Sequence, residues 1–508
     1  MKPLSILLIL IFVIIISGCS DFDEINTNPD ATTAGDASML LTGVELSFLP
    51  LHEKDFMFAP LAAKQIVWTE GTAANYQYNV FTRTDFSDYI VLENINRMNA
   101  AALNSGDNVR MFEAIGKFVK CYKLFYLSAS VGDIPYSQGL QVEEGNYTPV
   151  YDTQKQIMIS ILDELLATSQ LFKEAELDNE NINGDIFYNG NASKWQKLTN
   201  TFYLNVLINL SVKSNDSDLD LVTRFRSVLD SPNDFPLFNS NLDNFAVVYN
   251  DKEGEYKPFY ANGMEQYAVM SSYLVDKLKE YEDYRLFYYA DPIIGKIETE
   301  FSSYKGLDPS APNQQNIDIY STQNVSLTNK LYYDHEIPEG IPYIILGYHD
   351  LQFILAEAAA RGWIDKEPSS YYLEGIKASM ENRMNVTPTK WVHNMPITPE
   401  YISSYLEKPE IQLPIDEEGQ VEKIILQKFL ASYLQNDWNI YFDYRRTGFP
   451  DLPINPETNK NPVSDKLPLR WMYPQREYDY NFDHVSKAIS DQYGGKDEVT
   501  ETMWMIQK

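Results

Sequence analysis

Apolar residues recur every three or four positions along much of the chain, which is the spacing of one face of an α-helix. In the window 110–128 the recurring residues run from Phe112 to Leu127, and within Tyr151–Phe172 they run from Ile157 to Leu166. Each window therefore predicts an amphipathic helix that packs one face against a core.

Five further windows have the same period, and loops rich in Asn, Asp, Gly and Pro separate them. They are Trp195–Lys213, Met264–Glu280, Tyr348–Gly362, Tyr371–Met384 and Val421–Tyr433. Because these windows make up most of the patterned sequence, the chain is predicted to have an all-α, mainly helical fold.

Two neighbouring segments, Tyr348–Arg361 and Ser370–Met384, predict a helical hairpin. Small residues in them would let the two helices approach closely: Ala356, Ala358, Ala359 and Ala378. Pairs of this kind resemble tetratricopeptide units, although the formal repeat consensus is not met. We therefore expect tetratricopeptide-like hairpins rather than a regular repeat array.

The segment from Pro292 to about Pro342 interrupts the helical pattern with many Asn, Gly, Pro and Tyr residues. Long excursions of ordered chain often carry function. No Gly/Ser-rich or Pro-rich linker divides the chain, so we expect one domain over residues 39–508 that includes this excursion.

The N-terminus has the pattern of a secretion signal. A short basic start, Met1-Lys2, precedes the apolar run Leu4–Ile16, which is too short to span a membrane comfortably. The run ends in Ile16-Ser17-Gly18-Cys19, which resembles the site at which bacterial lipoproteins are cleaved and acylated. We expect a signal peptide over residues 1–18 and an acylated Cys19, which begins a polar tether over residues 19–38. The alternative is an ordinary signal peptide with an incidental cysteine.

Composition and charge limit the classes of molecule that this protein is expected to bind. The formal net charge is −31, and a surface this acidic repels phosphate backbones, which argues against a nucleic-acid partner. Asp21, Asp23 and Glu24 follow Cys19 and resemble the signal that exports lipoproteins to the outer face of Bacteroidetes-type outer membranes. The second cysteine, Cys121, lies in an apolar stretch, so no disulfide is expected and Cys121 should be a core residue.

The C-terminal region carries several motifs in a fixed order. They are Arg445-Arg446-Thr447-Gly448, Arg470, Tyr473-Pro474, Glu477, Asn481 and Trp504. Upstream motifs include Val131–Tyr136, Tyr151–Gln154, Asp185–Tyr188, Trp195 and Ala356–Trp363. Together they resemble the SusD/RagB family over nearly the whole mature chain, with mild departures such as Thr199-Asn200-Thr201.

This resemblance implies a SusD-like helical fold at the outer surface of the outer membrane, held there by the lipid. It implies a partner, a SusC-like TonB-dependent transporter that the protein covers as a lid. It also implies a nutrient ligand, usually an oligosaccharide and sometimes a peptide.

The Arg445-Arg446 pair permits two interpretations. Its guanidinium groups could clamp an anionic ligand, or they could pair with nearby acids such as Asp443 and fasten the C-terminal segment to the scaffold. We expect the structural role. Gly132 to Tyr136 predict a tight turn, because glycine allows unusual dihedral angles and Pro135 stops a helix.

Aromatic content suggests a sugar-binding surface, since the chain has 36 tyrosines and 7 tryptophans. Most of these rings must lie in the core. The candidates for ligand contact fall outside regular helical spacing: Trp68, Asn75, Tyr76 and Tyr78 in one segment, and Tyr304 and Tyr320 in the excursion.

Catalytic and metal-binding motifs are not found. The five histidines are scattered, and no HExxH, CxxC, GxSxG or phosphate-binding loop occurs. No cofactor is expected. The segment Asn179–Asp185 could hold calcium, but a solvated loop is favoured.

Three hypotheses for the function remain. The one that we favour is a binding protein. The others are a helical glycoside hydrolase with two facing carboxylates and a scaffold that binds only its partner protein.

Overall fold

Seventeen α-helices form most of the part of the chain that the computed structural model describes, which is residues 36–49, 55–70, 74–141, 145–257, 268–334, 336–435 and 438–508. In chain order they are α1 (Ala37–Leu46), α2 (Asp55–Ala62), α3 (Asp88–Ser105), α4 (Val109–Val131), α5 (Gln154–Leu177), α6 (Ala192–Asn209), α7 (Leu221–Asp230), α8 (Ser272–Glu280), α9 (Arg285–Tyr289), α10 (Asn313–Ser321), α11 (Tyr348–Ala360), α12 (Pro368–Val386), α13 (Pro399–Leu406), α14 (Glu417–Ala431), α15 (Asn439–Thr447), α16 (Gln475–Tyr480) and α17 (Phe482–Tyr493). The predicted all-α class is confirmed.

The N-terminal predictions lie almost wholly outside the described residues. These are the signal peptide, Cys19 and the tether up to residue 35, and they stay predictions. Among the helices of the described ranges, none combines the length and apolar character needed to cross a membrane.

Four short strands are found among the described residues, in two antiparallel pairs. β1 (Ile66–Val67) pairs with β3 (Val269–Met270), and β2 (Phe245–Val247) pairs with β4 (Tyr343–Leu346). Val269 also forms a bridge with Leu327 of the excursion. The first pair therefore brings the segment that begins at Trp68 close to the excursion.

Six of the seven predicted helical windows agree with α4, α5, α6, α11, α12 and α14. The window Met264–Glu280 is correct only in its second part. Helix α8 begins at Ser272 because Val269 and Met270 pair with β1, and residues 258–267 lie outside the described ranges. The windows also missed α3, which buries Leu92, Ile95 and Met98 at helical spacing.

The turn after α4 requires glycine, as its sequence predicted. Gly132 has φ of +102°, and a Cβ at this position would lie 2.1 Å from Gln492 Oε1. The next residue, Asp133, accepts a hydrogen bond from the backbone N–H of Gln154 at 2.7 Å, where α5 begins. This turn thus joins α4 to α5, and Cys121 is fully buried in α4 as expected.

The most extensive helix pairing joins α11 to α12, the predicted hairpin. Gly375 of α12 lies against Phe353 of α11, so closely that an added Cβ would lie 2.7 Å from the ring. Helices α5 and α6 form another pair, and α6 also packs on α11. The tetratricopeptide-like hairpins are therefore present, and they join the N-terminal and C-terminal helices through one core.

A buried ion cluster centres on Arg446. Its guanidinium donates to both carboxylate oxygens of Glu357 and, at 2.8 Å, to Asp443 Oδ1. Lys428 Nζ lies 2.7 Å from Asp443 Oδ2, and Arg361 Nη2 lies 2.8 Å from Glu357 Oε1. Burial raises the pKa of Glu357, but the charges of Arg446 and Arg361 outweigh it and lower the pKa to about 2. The cluster thereby connects α11, α14 and α15.

Arg445 also has its partners within the fold. Nη1 donates to the carbonyl oxygen of Leu469 and Nη2 to that of Ala129, each at 2.8 Å. Both arginines of the pair thus fasten the C-terminal segment to the scaffold, which confirms the structural interpretation.

Replacing Glu357 by Gln is expected to lower the free energy of unfolding at neutral pH by about 3–5 kcal/mol, because the variant leaves Arg446 buried without its carboxylate. The folded-state pKa of Glu357 lies below its usual value of 4.5, so its stabilisation is present above pH 4.5 and is lost as the pH falls toward 2. Urea unfolding of both proteins across this range should show their stabilities converge at acid pH.

Glu417→Gln is the matched control. The Glu417 carboxylate faces Arg361 Nη1 at 3.7 Å and is 60% exposed, so its loss should cost less than about 1 kcal/mol. Equal stability of the two variants at neutral pH would contradict the role assigned to Glu357.

Candidate ligand-binding site

The two segments that carry the predicted ligand contacts meet in the structure. Tyr78 Oη donates a hydrogen bond to the carbonyl oxygen of Ala311 at 2.9 Å, and Asn313 Nδ2 donates to that of Glu70 at 3.2 Å. A small apolar cluster lies behind these contacts and contains Val67, Val269, Leu307 and Val325. The excursion is therefore docked on the segment around residues 68–79.

A buried lysine holds this segment in place. Lys64 Nζ donates to the carbonyl oxygen of Gln77 and, at 2.9 Å, to Asn79 Oδ1. Burial lowers the pKa of Lys64 to about 7, and the charge of Asp308 opposes this shift only partly. The turn formed by Tyr76–Tyr78 thus has a polar anchor beneath it.

Three of the six predicted contact residues are buried, namely Trp68, Tyr78 and Tyr304. Tyr304 Oη donates to the carbonyl oxygen of Glu298 at 2.8 Å. None of these three rings lines either of the cavities described below, so they pack the segments that surround the site. Asn75 is exposed, while Tyr76 and Tyr320 are half-buried.

Tyr320 lines a cavity of about 570 Å³, here called the excursion cavity. Its apolar and aromatic lining comprises Pro292, Ile294, Tyr320, Val325, Leu327, Tyr333 and Trp391, and its polar lining includes Asp291, Glu298, Gln323, Lys330, Lys390 and His393. Ile294 is 71% exposed, and Ile297 beside it is 62% exposed. Apolar side chains left in water beside a cavity with convergent polar groups are typical of a ligand site.

One wall of the excursion cavity is held together by His393. His393 Nε2 lies 3.1 Å from Asp291 Oδ1, and Nδ1 lies 3.4 Å from Glu298 Oε2. Burial lowers the pKa of His393, but the hydrogen bonds and charges of Asp291 and then Glu298 outweigh it and raise the pKa above 6.5. His393 and Asn394 both have positive φ, at 49° and 57°, so this segment turns sharply beneath the cavity.

Contacts with Asn329 and Lys390 fix the position of Trp391 in the cavity wall. Asn329 Nδ2 donates to the carbonyl oxygen of Trp391 at 2.9 Å, and Lys390 Nζ lies 4.6 Å from the centre of the Trp391 ring. Sequence reasoning missed Trp391, His393 and Tyr333 as cavity residues. A usable signal was the pair Trp391-x-His393, which stands in a polar, proline-containing segment between two helices.

Tyr76 lies elsewhere, in a separate cavity of about 370 Å³ among the helices, here called the helical cavity. Its aromatic lining comprises Phe48, Phe58, Tyr76, Tyr122, Tyr126, Trp438, Phe442 and Trp471. The predicted candidates Tyr76 and Tyr320 therefore do not share one binding surface.

The described residues contain no group of three or more His, Cys, Asp or Glu side chains placed to hold a metal ion. In the oxygen-rich segment Asn179–Asp185, the Asp185 carboxylate accepts hydrogen bonds from Phe187, Gly190 and the indole of Trp195. These donors engage the carboxylate in local structure.

Comparison with known proteins points to one family. A model of SusD-like proteins, described as starch-binding and associating with the outer membrane, matches residues 29–474. No curated protein was found to match the sequence.

Solved structures give the same result. A SusD homolog from Bacteroides fragilis NCTC 9343 is 41% identical with a TM-score of 0.88, and a second SusD homolog from that strain is 32% identical with a TM-score of 0.81. A protein of Bacteroides vulgatus ATCC 8482, named as an outer membrane protein with a suggested role in nutrient binding, is 32% identical with a TM-score of 0.82. Each match covers 93% of this chain and 100% of the other chain.

Replacing Lys64 by Met keeps the length of the side chain but removes both hydrogen bonds to the Tyr76–Tyr78 turn. We expect a loss of about 2–4 kcal/mol in the free energy of unfolding at pH 8. Folding displaces a proton from Lys64 between about pH 7 and 10.5, so the stability of the wild type relative to the variant should grow with pH there, by at most about 1.4 kcal/mol per pH unit.

Chemical denaturation at several pH values between about 7 and 9 measures both effects. Lys460→Met is the matched control, since Lys460 is exposed and its Nζ lies 5.8 Å from the centre of the Tyr78 ring. A flat pH dependence of the difference between wild type and Lys64→Met would show that Lys64 stays protonated when buried.

Proposed function

This chain belongs to the SusD-like family, and from that premise we propose that it captures an oligosaccharide in the excursion cavity and passes it to a SusC-like TonB-dependent transporter. The family description supplies the sugar class and the outer membrane. The protein then acts as a binding protein that releases its ligand chemically unchanged.

The observation that carries this proposal is the lining of the excursion cavity. Tyr320, Tyr333 and Trp391 offer aromatic surface against which the apolar C–H faces of sugar rings can pack. Gln323 and Lys330 stand beside these rings and can bond sugar hydroxyls. A volume of about 570 Å³ lies within the usual range for small-ligand cavities.

The anchor and domain division complete the proposal. A signal peptide over residues 1–18 directs export, the acylated Cys19 inserts in the outer membrane, and residues 39–508 form the single ligand-binding domain at the exterior. Tethering by lipid keeps the domain beside its transporter at high effective concentration, so a modest ligand affinity suffices for transfer.

A glycoside hydrolase is the second candidate, because two carboxylates, Asp291 and Glu298, line the excursion cavity. Both carboxylates, however, contact His393, and Glu298 also accepts a hydrogen bond from Asn394. These contacts support a structural role, in which the carboxylates hold the segment that carries Trp391. Peptide capture and a purely scaffolding role are outcomes that the following measurement also separates.

The mature protein without its acylated cysteine, residues 20–508, should retain one class of oligosaccharide on an array of oligosaccharides and peptides. Tyr320→Ala and Trp391→Ala should each weaken that binding by about tenfold, near 1.4 kcal/mol, because each removes one aromatic surface. Chromatography of the bound ligand should recover it at its original length.

Tyr147→Ala is the matched control, since Tyr147 is 72% exposed and lies outside the cavity lining. Shortened sugar products would favour the hydrolase, and selective retention of peptides would reassign the ligand. An array without any binding, combined with stable capture of the transporter, would favour the scaffold.

A further inference from the structure

The first part of the excursion forms a loop with exposed apolar residues at its tip. This loop, residues 291–298, is here called the arm. At the tip, Ile294 is 71% exposed and Ile297 is 62% exposed, and both can offer apolar surface to a ligand. The arm contributes to the lining of the excursion cavity through Asp291, Pro292, Ile294 and Glu298.

One imidazole contacts both ends of the arm. His393 Nε2 lies 3.1 Å from Asp291 Oδ1, at the first residue of the arm, and Nδ1 lies 3.4 Å from Glu298 Oε2, at the last. Asn394 donates a further hydrogen bond to the other carboxylate oxygen of Glu298. The His393 side chain is only 13% exposed, so the ring stands between the two carboxylates with little access to water. The two ends of the arm are thus joined through His393.

The hydrogens that this ring must carry follow from its neighbours. A carboxylate accepts hydrogen bonds and donates none, and a neutral imidazole has a single N–H. Asn329 Nδ2 lies 3.4 Å from Nε2, but it already donates to the carbonyl oxygens of Phe287 and Trp391, at 3.3 and 2.9 Å, which uses both of its hydrogens. Each ring nitrogen of His393 therefore needs its own hydrogen to bond the carboxylate that it faces, and only the imidazolium has both.

Other ionisable groups surround the ring without taking over its role. Lys330 and Lys390 also line this cavity. Lys390 Nζ lies 2.7 Å from Glu336 Oε2 and so has its own counter-ion, while the backbone N–H of Lys330 faces the carboxylate at the start of the arm at 3.5 Å. The Tyr304 ring lies 6.3 Å from that of His393, and burial raises the pKa of its hydroxyl, which stays neutral.

Loss of one proton from His393 would break this connection. Burial lowers the pKa of the ring, but the hydrogen bonds and charges of Asp291 and then Glu298 outweigh it and raise the pKa above 6.5. The stabilisation is therefore complete below pH 6.5 and is lost as the pH rises through the raised pKa. A neutral ring can donate to only one carboxylate, so the other end of the arm then faces a lone pair.

We propose that the His393 imidazolium clasps both ends of the arm, and that capture in the excursion cavity weakens as the pH rises and the ring loses one proton. An arm held in place beforehand lowers the entropy cost of ordering Pro292 and Ile294 against a bound ligand. His393 acts here as a positioning residue. The effect on capture rests on the function proposed above, whereas the clasp exists without a ligand.

Fluorine NMR of the ligand-free protein, residues 20–508, tests the clasp. Lys296→Cys places a cysteine at the exposed tip of the arm for a trifluoromethyl label, because the other cysteine, Cys121, is fully buried. The resonance of the label should titrate with a midpoint above pH 6.5. His393→Gln should abolish this titration, since glutamine can donate a hydrogen bond but has no proton to lose. Asp291→Asn should move the midpoint to lower pH, because it removes a charge that favours the imidazolium.

Glu336→Gln is the matched control, since it removes a carboxylate that is 74% exposed and pairs with Lys390, and it should leave the midpoint unchanged. Burial lowers the pKa of Lys257 to about 8, so this lysine also titrates in the range studied. Lys257 is present in every variant, and a titration that survives in His393→Gln would therefore belong to another group and overturn the clasp. The absence of any titration in the wild type would overturn it as well.

Binding to the oligosaccharide array at pH 6 and pH 9 tests the effect on capture. The wild type should bind the retained oligosaccharide about three- to tenfold more weakly at pH 9, and His393→Gln should bind it equally at both pH values. Equal binding by the wild type at the two pH values would overturn the role of the clasp in capture. No binding at either pH, together with the expected fluorine titration, would support the clasp and contradict the function proposed above.

Discussion

The buried pairing of Arg446 with Glu357 determines where the C-terminal part of the chain lies. Two cations and two carboxylates that are removed from water are tolerable only when all of them meet, because an unpaired buried charge is very costly. Glu357 belongs to α11, Lys428 to α14, and Asp443 and Arg446 to α15. In this arrangement of the three helices, every charge of the cluster has a partner. The cluster thereby also positions α15, which provides part of the wall of the helical cavity.

Two buried lysines hold loop segments in place, as the ion cluster holds the helices. Lys64 holds the Tyr76–Tyr78 turn through a carbonyl and an amide oxygen, and Lys257 Nζ donates to the carbonyl oxygens of Leu331 and Asp334 at 3.0 and 2.8 Å. Burial lowers the pKa of Lys257 to about 8. The Tyr76–Tyr78 turn beside the helical cavity and the segment around Tyr333 beside the excursion cavity thereby keep defined positions, as the walls of a binding site require.

The two cavities differ in the parts of the fold that build them. The excursion cavity is formed largely by irregular segments together with Tyr320 of α10, and its rings Tyr333 and Trp391 also pack in the main core. The helical cavity is lined by α4 and α15, and Phe442 and Trp471 in its wall also pack in the main core. Both cavities therefore have walls that include rings of the main core.

The helices and the core could be predicted from sequence, because the period of apolar residues is local information that the chain carries in every window. The structural role of Arg446 was also predictable, because acids such as Asp443 lie close to it in the sequence and can pair with it. The strand at Val269–Met270 was not, since its partner lies about two hundred residues earlier and pairing overrides the local helical period.

For the binding surface as well, sequence predicted one part and only the tertiary structure decided the rest. Sequence alone determined that aromatic residues outside helical spacing were candidates, and Tyr76 and Tyr320 do line cavities. Only the tertiary structure decided that Trp68, Tyr78 and Tyr304 are buried and that Trp391 and His393 join Tyr320. The physical reason is that the exposure of a ring depends on which distant segments pack over it, and no local pattern records that packing.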